Sequence, residues 1–171
     1  MNHYLFVDGY NIINAWPELK QLSVDNLQQA REKLIEQMIE YQSYTGERVT
    51  IVFDAHLVKG SNLKSETING IDVIFTKEHQ TADSYIEKQI EGFIRNRKNR
   101  VRVATSDWAE QQIVLGSGAT RISARELKIE MELVKKNIRK KTAEINHNRS
   151  ALEERLDDKI VEILEKWRRK E

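Results

Sequence analysis

Cysteine is absent from the chain, which excludes disulfide bridges and thiolate metal sites and fits a reducing cytoplasm. Proline occurs once, at Pro17, so no proline interrupts a helix anywhere beyond it. An excess of one charge is also lacking: 28 Lys and Arg stand against 27 Asp and Glu, a net charge of +1. That balance excludes a global attraction to nucleic acid or to an anionic membrane, so any such affinity must come from local clusters. No apolar run approaches the roughly 20 residues that span a bilayer. The N-terminus enters a strand pattern directly rather than a signal peptide. The expectation is a cytoplasmic protein with no membrane partner. At 171 residues, with 39% hydrophobic and 32% charged residues, the chain is long enough for one domain with a real core.

What the chain does have is a repeated device. Tyr4-Leu5-Phe6-Val7-Asp8-Gly9-Tyr10-Asn11 is an apolar strand pattern that delivers a carboxylate into a Gly-containing turn, with Asn11 three residues on. Thr50 to Asp54 and Val101 to Asp107 repeat the plan, each an apolar run that ends in Asp. Open α/β sheets carry their chemistry at the carboxyl ends of the strands.

The order of elements alternates between strand and helix. The spacing of Leu27, Ala30, Leu34, Met38 and Tyr41 predicts one helix from about residue 24 to 44, capped by Ser23 or Asp25 and ended at Thr45-Gly46. Residues 48–53 read as a second strand, 55–69 as loop or a short hairpin arm, and 71–75 as a third strand. Thr81 is the predicted N-cap of a helix with Ala82, Tyr85, Ile86, Gln89, Ile90 and Phe93 on one stripe. A buried strand at 101–104, a short helix from Trp108 to Leu115, a Gly-Ser-Gly turn and a brief strand at 119–122 follow. Ser123 and Glu126 form a capping box. It opens a helix to about Ile145, with a break at Asn146-His147-Asn148 and a second helix over 150–169. Leu152, Leu156, Ile160, Ile163, Leu164 and Trp167 give that last helix an apolar face that should be covered by the body, a neighbouring helix or a partner. The fold class is therefore α/β, a three-layer sandwich around a mainly parallel sheet with right-handed crossovers. The core is expected over 1–122 and a helical C-terminal extension over 123–171.

In such a fold Asp8, Asp83, Asp107 and Asp54 converge on one edge. Crowded carboxylates repel one another unless a cation sits among them, and hard cations such as Mg²⁺ or Mn²⁺ prefer oxygen ligands. A metal held there activates water for phosphodiester cleavage. Asn11 and Ser106 are candidates to orient a carboxylate, a water or the scissile phosphate. His3, His56, His79 and His147 are scattered without metal-ligand spacing; His56 and His79 fall near the edge but read as surface residues. Two basic clusters, Arg95, Arg97, Lys98, Arg100 and Arg102, and Lys135, Lys136, Arg139, Lys140 and Lys141, are either phosphate contacts or solvated helix surface.

Val7-Asp8-Gly9-Tyr10-Asn11 resembles the signature of the NYN domains, a branch of the PIN-like nuclease superfamily. Thr81-Ala82-Asp83-Ser84 and Ala104-Thr105-Ser106-Asp107 resemble that superfamily's second and third acidic motifs, in order, and the whole layout is similar to the bacterial YacP-like subgroup. The resemblance implies an endoribonuclease dependent on Mg²⁺ or Mn²⁺. Asp8, Asp83 and Asp107 would bind metal, Asn11 and Ser106 would assist, and Asp54 occupies a position where some relatives carry an acid. It also implies messenger RNA decay on translating ribosomes, with RNA and the ribosome as partners. RNA would be gripped by Arg95, Arg97, Lys98, Lys135, Lys136, Arg139 and Lys140. Tyr10 and Trp16 are available to stack bases, whereas Trp108 is expected in the core. The competing reading is a non-catalytic RNA- or ribosome-binding module. A third, a phosphatase or DNA structure-specific nuclease, is weakened because the first strand lacks an Asp-x-Asp pairing.

Overall fold

A computed structural model describes residues 1–54, 64–106 and 118–168, apart from the side chains of residues 153–157, 161 and 164. The described residues form two compact units, Met1–Val134 and Lys135–Glu171. The first is a six-stranded sheet of order β3-β4-β2-β1-β5-β6, built from β1 (Asn2–Asp8), β2 (Arg48–Phe53), β3 (Lys64–Ile68), β4 (Ile71–Phe75), β5 (Asn99–Ala104) and β6 (Thr120–Ile122). All neighbours are parallel except β3, which returns antiparallel to β4. Asn69 and Gly70, both at positive φ, make the tight turn between them. The sandwich with a mainly parallel centre is thus the one expected, and β3 is the hairpin arm.

Period-two alternation assigns the two faces of the sheet. Phe6, Val52, Ile74, Val101 and Val103 pack with Ala82, Ile86 and Ile90 of α4 (Ala82–Ile94). Leu5, Val7, Ile51, Phe53, Ile71 and Val73 are also buried, and by alternation they point to the opposite face. There the chain places α1 (Gly9–Ala15), α2 (Pro17–Asp25) and α3 (Leu27–Thr45). Each fully buried Ile or Leu contributes about 1.5–3 kcal/mol of apolar transfer energy.

The single helix expected over 24–44 is preceded by two more. Asp8 caps α1 by accepting from the Asn11 N–H, and Pro17 occupies the first turn of α2, where its missing N–H costs nothing. The cap of α3 is Asn26, which accepts from the Gln29 N–H, rather than Ser23 or Asp25. Gly46, in the left-handed region at φ 73°, ends that helix as expected.

The capping box forms: the Ser123 N–H donates to Glu126, and the Glu126 N–H donates to the Ser123 hydroxyl. The helix it opens, α5 (Ala124–Arg168), runs through Asn146-His147-Asn148 without the predicted break. The stretch holds neither glycine nor proline. Asn and His each cost a helix interior only about 0.7 kcal/mol against Ala. Within the first unit, Leu127, Met131 and Val134 of α5 are buried. The start of the helix is fixed by the Trp16 indole N–H, which donates to the Ala124 carbonyl at 2.8 Å, and by Lys128 paired with Glu18 at 2.9 Å. In the second unit Ile145, Leu152, Ile160, Ile163 and Trp167 are exposed. The helix expected over 108–115 lies outside the described residues. Among the described residues no helix is long and apolar enough to cross a membrane.

Candidate active site

The carboxyl ends of β1 and β2 and the amino end of α4 meet at one edge of the sheet. Asp8 closes β1, Asp54 follows β2, and Asp83 stands in the first turn of α4. Alternation turns Asp8 to the same face as Phe6, the face that α4 covers. The turn after Asp8 requires glycine, because a Cβ on Gly9 would meet the ring of Phe53.

Asp8 and Asp83 share a side-chain hydrogen bond, and the Asp54 charge acts on the same group. Burial is the main force raising the Asp8 carboxyl from its ordinary 3.8 to about 7. The N–H of Asn11, donating at 3.3 Å, opposes that rise, and the neighbouring charges of Asp83 and Asp54 add to it. Asn11 reaches further, since its side-chain oxygen accepts from the backbone N–H of Ser106, just past β5. Thr105 beside it is fully buried, its N–H donating to the Ile122 carbonyl at 3.1 Å. The ends of β1, β5 and β6 are thereby held together.

Among the described residues no group of three His, Asp or Glu side chains could hold a cation alone. The pair Asp8 and Asp83 still fits one, because Mg²⁺ is commonly held by one or two carboxylates together with water and substrate phosphate. Two neighbouring carboxylates, one of them held up by burial and by the charge of the other, have the chemistry of such a donor set. Asp107 lies outside the described residues.

The residues expected to touch RNA divide differently. Tyr10 is buried at 8% exposure with its ring centroid 5.0 Å from that of Phe53, and its hydroxyl accepts from Arg31 at 3.0 Å. Trp16 is 2% exposed and spends its indole N–H on Ala124. Neither ring is presented to a base. Both belong to the amphipathic α1–α2 segment, whose apolar side has to cover the sheet. Trp108 lies outside the described residues. Arg95, Arg97 and Lys98 are exposed, but they precede β5 at the amino edge of the sheet, where the Asn2 N–H donates to the Lys98 carbonyl. With β1 and β5 parallel, a strand length of roughly 20 Å, at about 3.3 Å per residue, separates that edge from the acids. These three do not flank the acidic site.

Arg102, counted with them in sequence, is engaged elsewhere. It bonds both carboxylate oxygens of Glu130 at 2.9 and 3.0 Å and approaches the buried Glu47 at 3.4 Å. The Tyr41 hydroxyl donates to Glu130 at 2.7 Å in the same network, and burial together with that carboxylate raises its pKa. Lys136, Arg139 and Lys140 are exposed and Lys135 is half-buried, all on α5 within the second unit.

Sequence reasoning passed over two cations and a groove. The Arg31 guanidinium lies 5.7 Å from the ring centre of Phe75, at the carboxyl end of β4. Beside Asp54, residues 78–81 line a groove of about 410 Å³, and Lys77 lines the neighbouring one. An isolated Arg on a helix and a Lys-Glu-His-Gln stretch after a strand carry no periodic signal, so only the fold assembles them.

The chain matches the family model described as the YacP-like NYN domain over residues 5–169. It is 47% identical over 165 residues to the uncharacterized protein YacP of Bacillus subtilis (strain 168), covering 96% of each chain. Its fold is similar to the crystal structure of Rae1 (YacP) from Bacillus subtilis, with a TM-score of 0.75 and 47% identity over 99% of this chain and 95% of that one. The crystal structure of a Trp→Leu variant of the same protein matches with a TM-score of 0.74 and 46% identity, over 84% of each chain. The chain belongs to the YacP-like NYN domain family, a branch of the PIN-like nucleases, and its function is accordingly of the RNA-cleaving or RNA-binding kind.

Proposed function

We propose that the protein is an endoribonuclease, dependent on Mg²⁺ or Mn²⁺, that hydrolyses single-stranded RNA, with messenger RNA in association with the translating ribosome as the substrate. The observation that carries this reading is the Asp8–Asp83 carboxylate pair at the carboxyl edge of the sheet, with Asp54 close enough to raise the Asp8 proton affinity further. A surface that only binds phosphates gains nothing from clustered negative charge. A divalent cation bound there would supply charge neutralisation at the scissile phosphate and a lowered pKa for the attacking water.

Asp8 and Asp83 are the proposed ligands, together with Asp107, and Asp54 completes the negative field. Asn11 is the positioning residue: its N–H holds the Asp8 carboxylate while its side-chain oxygen holds the Ser106 backbone. At near-neutral pH Asp8 is poised between its two protonation states, so a phosphate-borne cation and the Asp8 proton compete for one carboxylate. The exposed cations Lys136, Arg139 and Lys140 of α5, with the half-buried Lys135, are proposed to hold RNA phosphate or ribosomal RNA without reading sequence.

The test is cleavage of single-stranded RNA, with and without translating ribosomes, in Mg²⁺ or Mn²⁺ and again in EDTA. Asp8→Asn and Asp83→Asn should lose cleavage while keeping the fold. Binding without cut products in every condition would instead establish a non-catalytic RNA-binding module. Mapping RNA ends across the transcriptome for wild type and Asp8→Asn would then give the substrate class and cut-site context.

A further inference from the structure

The groove beside Asp54 does not end at the acids. Its first part, about 410 Å³, is lined by Asp54, Thr81 and the turn Glu78-His79-Gln80. A second part, about 330 Å³, shares that turn and continues past Lys77, Ser84 and Lys88. Lys77 and Lys88 are exposed, one before the turn and one on the second turn of α4. Two ammonium groups and Ser84 therefore line a groove that shares the 78–80 turn with the one beside Asp54. Glu78 is the acid common to both parts, 3.9 Å from the His79 imidazole.

The turn itself is rigidly held. The Thr76 N–H donates to the Phe53 carbonyl at 3.0 Å, the Thr76 hydroxyl donates to the Gln80 carbonyl at 2.6 Å, and the Gln80 N–H donates to the Lys77 carbonyl at 3.0 Å. His79 at its tip has φ of 64°, a conformation that glycine or asparagine adopts more cheaply, yet its side chain is 91% exposed. A strained non-glycine residue at the rim of a site is a pointer to function. The hydrogen bonds fix the backbone of the turn relative to the end of β2, and so set where His79 stands relative to Asp54.

We propose that this groove is the track for one arm of the RNA strand: Lys77 and Lys88 neutralise backbone phosphates on one side of the cut, and His79 stacks on a base. The inference rests on the ribonuclease reading for its substrate class. Lysine contacts of this kind are independent of sequence and dependent on salt, whereas an imidazole–base stack is tolerant of sequence and contributes without net charge.

The experiment measures binding of a mixed-sequence single-stranded oligoribonucleotide to the full chain by fluorescence anisotropy across a salt series. Asp8→Asn is present throughout to prevent cutting. Adding Lys77→Glu and Lys88→Glu should weaken binding roughly tenfold and flatten the slope of log K against log salt by about 1.4, at about 0.7 per single-strand phosphate contact. His79→Gly suits the positive φ and so keeps the turn; it should weaken binding without changing the slope. In protein with Asp8 intact, the lysine changes should raise KM for RNA. Unchanged affinity and slope in the double lysine variant would overturn the inference, as would no measurable binding by the Asp8→Asn parent at low salt. If Asp8→Asn alone cuts RNA at the wild-type rate, the catalytic reading fails, while the salt series still decides the groove.

Discussion

The side-chain oxygen of Asn11 accepts the backbone N–H of Ser106, and the N–H of Asn11 donates to Asp8. One residue thereby spans from the end of β1 to the end of β5. It fixes the carboxylate that the proposed chemistry uses against the segment leading to Asp107.

Asn11→Ala should lower kcat/KM for RNA by about 10–100-fold, the usual effect of losing a group that orients a ligand carboxylate. Stability should fall by only about 1 kcal/mol, since one side-chain bond is lost. Asn11→Asp keeps the acceptor but adds a negative charge beside Asp8, and should lower the Mg²⁺ concentration needed for half-maximal cleavage. Metal titrations of both variants, beside thermal unfolding, check the outcome.

Asp8 also makes stability depend on pH. Its carboxyl is raised from 3.8 to about 7 in the folded state, so the folded protein holds that proton more tightly than the unfolded chain. The resulting stabilisation is fully present below pH 4 and is lost as pH rises through about 7. Asn at position 8 does not titrate. Asp8→Asn should therefore be more stable than wild type above pH 7 in EDTA, by up to about 4 kcal/mol, with the gain vanishing towards pH 4. Urea midpoints at pH 4, 6 and 8 measure it. A midpoint difference that does not change with pH would contradict the buried-pair assignment.

Gly9→Ala places a methyl group against the Phe53 ring, and overpacking of this kind costs about 1–3 kcal/mol. Because the clash sits next to Asp8, RNA cleavage should fall more steeply than stability. The second variant Gly9→Ala/Phe53→Leu should recover part of both, as read from unfolding midpoints and initial rates.

Arg102 is a structural cation. Arg102→Ala leaves the buried Glu47 and its neighbour Glu130 without their positive partner, and should destabilise the fold by about 3 kcal/mol. The denaturant midpoint should drop with an unchanged m-value, while RNA affinity per folded molecule stays the same. A selective loss of RNA affinity would instead make Arg102 a phosphate contact.

Reversing Lys135, Lys136 and Arg139 to Glu should weaken association with RNA or ribosomes and flatten its salt dependence, by about 0.7 of slope per lost single-strand phosphate contact. Metal dependence of cleavage should be unaffected. Sedimentation with ribosomes across a salt series provides the measurement.

Local chemistry was legible along the chain wherever a short-range rule applied. Alternation and apolar runs marked β1, β2, β4 and β5, and Thr81, Gly46 and the Ser123–Glu126 box fixed helix ends through bonds spanning three or four residues. The Asp8-Gly9-Tyr10-Asn11 segment pointed to the acid edge because a strand end, a glycine and two oxygen groups are adjacent in sequence. Tyr10 and Trp16 were read from their place near the acidic motif, and Arg95, Arg97 and Lys98 from their clustered charge; neither signal says on which side or edge of the sheet a residue falls. A residue near an acidic motif can lie beneath the sheet, and a residue before a strand lies one strand length away from the residue after it.

By itself, then, the sequence determined the central strands, several helix ends, the carboxylates at the strand ends and the family, because each depends on neighbours within a few residues or on an ordered motif. The tertiary structure alone decided three things: which acids meet, that Arg102 serves the core, and that the turn carrying His79 lines both the groove at Asp54 and the one at Lys77 and Lys88. These relationships join residues from separate elements. They are set by sheet order and strand direction, which period and composition leave open.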